Sequence, residues 1–293
     1  MTERSVPRSG PSRPGPVGSA SAVRPTLALG SIETHARCGR RLASLFDEDR
    51  RYAPSGDAGF RLVNEVVLAI RSAHTLADER AITVAKVLDD DPARALPPDT
   101  LSTEEQAVFR SLVEQYREAF GDHPATIDLS RSGATQRRDS ASGLFTLSGR
   151  TDLVFHPRGE SEEVDSVPIV RRIHTRQPRS TWADPGYAIL LRLPTSRAAN
   201  DVVLRIERMW ASPVPGVSEN VVTGDDVDGF RTDLLELITD APQRSDVAEP
   251  GWWCGSCPVI RRCPAVAQQP FEELVANVRG PAIIAPAGLG ALS

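Results

Sequence analysis

Four cysteines constrain this chain more than any other feature. Three stand together as Cys254, Cys257 and Cys263, spaced C-x2-C-x5-C, and the fourth, Cys38, lies near the opposite end. No cysteine is left over. A C-x2-C pair lets two thiolates converge on one centre from a tight turn, and a third a few residues on closes a face of it. The last ligand must come from the fold. Structural zinc, the competing reading, usually draws on two close pairs, whereas three clustered thiolates and one remote cysteine suit a cubane. The Trp252-Trp253 flank and the neighbouring Pro and Gly residues are poor surroundings for inert buried cysteines.

The remaining sequence predicts an α/β protein. Residues 1–28 are rich in Arg, Ser, Pro and Gly and are expected to form a disordered tail. The 29–270 region is expected to form one domain, and 271–293, rich in Ala, Gly and Pro, a flexible C-terminal tail. A helix is expected from Ser31 past Cys38, Leu42 and Leu45. Another is expected from Phe60 to Ala77, where Leu62, Val63, Val66, Val67 and Ile70 recur at helical spacing, and a third over Thr103–Phe120 behind a capping box at Ser102–Glu105. Beyond Ala125 the pattern turns to strands. The runs 143–149 and 151–155 read as a hairpin, 167–175 and 201–210 as further strands, and 185–193 and 229–239 as helices. Together they predict a mixed central sheet flanked by helices, with a helical N-terminal part.

The net charge of -5 argues against a protein that coats nucleic acid nonspecifically, but leaves room for a local basic groove. No apolar run is long enough for a membrane span and the first residues carry no secretory stretch, so a cytoplasmic protein without a membrane is expected.

The segments around the cysteines, SIETHARCGRR at 31–41 and PGWWCGSCPVIRRCP at 250–264, resemble the RecB-like nucleases of the P-D-(D/E)-x-K superfamily that carry a four-cysteine [4Fe-4S] staple, among them AddB-type and CRISPR-associated exonucleases. Gly39 stands where that family usually has Pro. The resemblance implies a restriction-endonuclease-like fold and a [4Fe-4S] cluster on Cys38, Cys254, Cys257 and Cys263 that ties the chain ends together. It also implies a metal site of G-x-x-D followed by (D/E)-x-K. Gly149-Arg150-Thr151-Asp152 supplies the first part, and Asp152 takes the metal-binding position. In the next strand Arg172 replaces the acid and His174 the lysine, so that the site is degenerate: a guanidinium repels the Mg2+ that a carboxylate would hold. Lys86 is the only lysine and precedes Asp152 by a whole region of the chain. Asn64 falls near the family's upstream His, with His74 about three turns later. As plainer readings, Asp152 caps a hairpin and His174 is an ordinary partly buried histidine.

The expected function is therefore a nuclease-like protein that has lost cleavage and binds DNA, or that serves as a structural subunit beside a helicase or nuclease. Arg171, Arg172, Arg176 and Arg179, with Arg261 and Arg262 in the cysteine loop, are the arginines expected to meet phosphates. Two alternatives stay open. One is an active Mg2+- or Mn2+-dependent exonuclease that recruits Glu163 or Asp165. The other is an iron-sulfur redox sensor, which lacks a recognisable helix-turn-helix.

Overall fold

The computed structural model describes residues 24–46, 58–122, 125–157, 167–178, 180–194, 200–244 and 263. Cys254, Cys257, Glu163, Asp165, Arg179, Arg261, Arg262 and the 271–293 segment lie outside the described residues.

The chain is α/β, with two mixed sheets flanked by helices. Strand β1 (Thr26–Ala28) leads into α1 (Leu29–Arg37) and α2 (Gly39–Ala43). Then come α3 (Ala58–Arg80), α4 (Val84–Asp90) and α5 (Thr103–Phe120). Strands β2 (Ala125–Ile127), β3 (Ala134–Asp139), β4 (Thr146–Thr151), β5 (Leu153–Pro157) and β6 (Ile169–Arg176) follow. The described fold closes with α6 (Pro185–Leu190), β7 (Val202–Ser212), β8 (Gly216–Thr223) and α7 (Gly224–Asp240). Strand β1 lies inside the 1–28 stretch expected to be a tail: it pairs in parallel with β4 and Leu27 is fully buried.

The long helices form where the sequence says they should. Apolar residues of α3 at 62, 66, 67, 70, 73 and 77 make one buried stripe. Helix α5 starts at a true capping box, with the Ser102 hydroxyl accepting from the Glu105 amide and the Glu105 carboxylate accepting from the Ser102 amide. A second box, Thr223 with Asp226, starts α7 five residues before the expected boundary. The helix expected to run through Cys38 is instead broken there. Cys38 adopts an extended backbone (φ -119°, ψ 102°) as the N-cap of α2.

The expected hairpin of 143–149 with 151–155 does not exist. Strand β4 belongs to a three-stranded sheet of order β1-β4-β3, and β5 to a five-stranded sheet of order β2-β5-β6-β7-β8. The single residue between them, Asp152, is where the chain changes sheet. Periodicity identifies each strand but not its neighbour, and these two strands each find another partner. The switch is fixed from below by Gly133, whose amide lies 2.7 Å from the Thr151 carbonyl and 2.8 Å from that of Asp152. Its φ of +71° is a left-handed turn that favours glycine.

The five-stranded sheet has a core on each face. Leu153, Phe155, Ile173 and Met209 pack on α3, α4 and α5. Val154, Val170, Ile206 and Val222 pack with α1, α6 and α7 on the other side. Alternation along β6 therefore sends Arg171 and Arg172 to opposite cores.

Two glycines report how tightly the second core is packed. A Cβ on Gly186 in α6 would collide with Leu29 Cδ2 and come 2.9 Å from Phe230 Cε1, whereas one on Gly229 in α7 would meet nothing within 4 Å. Gly186→Ala should lower unfolding stability in urea by about 1–3 kcal/mol through overpacking. Gly229→Ala, in the exposed interior of a helix, should raise it by about 0.5–1 kcal/mol.

Candidate functional site

Asp152 is the hub of the site. It is 2% exposed. Its Oδ2 accepts from Arg172 Nε at 2.9 Å and from the Ile173 amide at 3.0 Å, and Arg150 Nε stands 3.7 Å from Oδ1. The carboxylate thus clips the sheet switch to the middle of β6. The Arg172 guanidinium also lies over the Tyr187 ring of α6, 4.7 Å from its centroid. Arg150 reaches across to α3, donating to Asn64 Oδ1 at 2.9 Å and lying 4.9 Å over the Phe60 ring.

On the neighbouring parallel strand β7, Arg208 is the register partner of Arg172. It is buried and pairs with Asp184, which also accepts from Asn220 Nδ2 at 2.7 Å. His174 stands on the same face, two residues beyond Arg172. Burial, reinforced by Arg172 and Arg208 and opposed by Asp152, pushes the imidazole down to about 4, so it is neutral at ordinary pH. Its Nε2 is buried without a hydrogen-bond partner among the described residues. Burial also pulls Arg150 below its ordinary value, a shift that Asp152 opposes and Arg172 and Arg71 reinforce.

Arg171 corrects an expectation. It is 1% exposed and points into the helical core, so it does not reach a phosphate. Nε donates to Glu207 Oε2 at 2.7 Å, Nη1 donates to the Tyr116 hydroxyl at 2.6 Å, and the guanidinium lies 3.7 Å over the Phe120 ring. The Tyr116 hydroxyl accepts from Arg171 and lies 2.6 Å from His74 Nε2. Burial, helped by Arg171, lowers His74 to about 3, so the imidazole is neutral and, in the tautomer protonated at Nδ1, its Nε2 accepts the Tyr116 proton. Nothing in the type of residue 171 announced this. The clue lay in the strand alternation, which puts residue 171 on the same face as Ile173 and opposite Glu207 of β7.

Of the other residues singled out, Arg176 is exposed at the end of β6. Asn64 and His74, both on α3, serve Arg150 and Tyr116 respectively. Cys38 is buried and Cys263 partly exposed. Among the described residues, no group of three or more His, Cys, Asp and Glu side chains is arranged to hold a metal ion. Among the same residues, no helix is long and apolar enough to cross a membrane. Comparison with protein-family models and with curated proteins finds no match.

Both buried imidazoles set a pH dependence. Unfolding lets them titrate near 6.5, whereas the folded protein holds them neutral down to about 4 for His174 and about 3 for His74. Their contribution is therefore complete above pH 6.5 and is lost as pH falls toward 4 and 3, because the unfolded chain binds the extra protons. Chemical denaturation between pH 7 and 4 should show stability falling, and His74→Gln and His174→Gln should each flatten that fall relative to the wild type.

Proposed function

We propose that this chain is an iron-sulfur protein of restriction-endonuclease-like, P-D-(D/E)-x-K type that has lost metal-dependent cleavage and acts as a DNA-binding or structural subunit in DNA processing, beside a helicase or nuclease. The observation that carries the reading is the commitment of Asp152 to Arg172 and to the Ile173 amide. A nuclease of this type needs that carboxylate for a divalent cation with oxygen ligands. Here its charge is already matched by the Arg172 guanidinium. His174, in the position of the family's lysine, is neutral and supplies no cation to a developing negative charge.

The donor set suits a [4Fe-4S] cluster. Four thiolates are what such a cluster takes, and Cys38 sits in a buried break between two helices with no covalent partner among the described residues. The turn Ala241–Arg244, which leads toward the other three cysteines, packs on α2 immediately beyond Cys38. When bound, the cluster would join the first helices to the C-terminal segment as a cross-link. Arg176 and Arg172, both on β6, are the described arginines through which DNA phosphates are met.

Protein purified without oxygen should carry about four irons per chain and bind DNA, and it should leave single-stranded and duplex ends uncut in Mg2+ or Mn2+. Zinc in place of iron would remove the cluster from the account. Metal-dependent cleavage that Asp152→Ala abolishes would overturn the loss of activity.

A further inference from the structure

The cations around Asp152 are not fully used by the protein. Among the described residues, Arg172 hydrogen-bonds through Nε alone, leaving its two terminal nitrogens without a partner, and its side chain is 19% exposed. Among the described residues, Arg208, its register partner on β7, is committed to Asp184 alone. Among the same residues His174 Nε2, on the same face, has no hydrogen-bond partner, and a neutral imidazole can place its proton on that nitrogen. Arg150 adds a third guanidinium beside Asp152. Three guanidinium groups therefore face two carboxylates, Asp152 and Asp184, and the excess is positive. Buried nitrogen donors left unsatisfied are costly, and an anion with several acceptor oxygens satisfies them together.

From this arrangement we infer that the face around Asp152 is a phosphate-binding site in which Arg172, Arg208 and His174 donate to phosphate oxygens without a metal. The inference extends the proposed function, since it takes Arg172 to be the working replacement for a metal ion. The chemistry fits a phosphate group rather than a carboxylate. The donors stand on one face of two adjacent strands, Arg172 and His174 on β6 and Arg208 on β7, which suits an acceptor with several oxygens. The same chemistry is offered by a DNA phosphate and by free phosphate or a small phosphorylated molecule.

The test uses the full chain with its cluster intact. Inorganic phosphate is titrated calorimetrically against chloride at equal ionic strength, and binding of oligonucleotides with a 5′-phosphate is compared with that of their 5′-hydroxyl counterparts. Arg172→Gln should weaken phosphate binding by about tenfold, the equivalent of one charge-assisted hydrogen bond. Asp152→Asn should strengthen it, because it removes the nearest negative charge while keeping an oxygen for the Ile173 amide. A variant that merely misfolds would weaken binding in both cases, so opposite signs support the site. Preference for the 5′-phosphate, lost in Arg172→Gln, assigns the site to DNA. Phosphate binding without DNA binding keeps the site and discards the DNA reading. DNA binding that is indifferent to Arg172→Gln, with no binding of inorganic phosphate, overturns the inference, keeps the DNA-binding part of the proposed function and leaves Arg176 as its described phosphate contact. Binding of neither overturns it as well.

Discussion

The ion pair between Asp152 and Arg172 organises this molecule. Asp152 is the one residue between two strands that belong to different sheets, and a buried carboxylate there is tolerable only because a guanidinium and a backbone amide meet it. The pair therefore does two things. It locks the three-stranded sheet to the centre of the five-stranded one, and it uses up the charge that a divalent cation would otherwise neutralise.

The opposite face of β6 repeats the same physics in a drier setting. Arg171, one residue earlier, is buried among Tyr116, Phe120 and Phe155 and is matched by Glu207 of the adjacent strand. Breaking such a buried pair by removing one partner is costly, whereas a satisfied network fixes one arrangement of the core. Here the network runs from Glu207 through Arg171 and Tyr116 to His74 and so ties β7, β6, α5 and α3 together. Adjacent arginines on one strand have different roles because alternation sends one into the helical core and the other to Asp152 on the opposite face.

Much of the architecture was legible in the sequence. The stripe in α3 and the capping box of α5 are local patterns, and local patterns survive folding. Asp152, Arg172 and His174 were legible as one cluster because the resemblance supplied their spacing. What could not be read was pairing. The 143–149 and 151–155 runs have the spacing of a hairpin, yet β4 and β5 part at Asp152, and β1 joins a sheet through β4, which lies far away in sequence. The burial of Arg171 was hidden for the same reason, since its partner Glu207 becomes its neighbour only through the parallel register of β6 and β7. Charge alone suggested the surface.

The central claim is that Asp152 serves an arginine and not a metal. Titration of Mn2+ into the full chain, followed by calorimetry in the wild type and in Asp152→Asn, tests it most directly. The account predicts no Mn2+ site whose occupancy depends on Asp152, so the two titrations should coincide. A single stoichiometric Mn2+ site in the wild type that disappears in Asp152→Asn would contradict it.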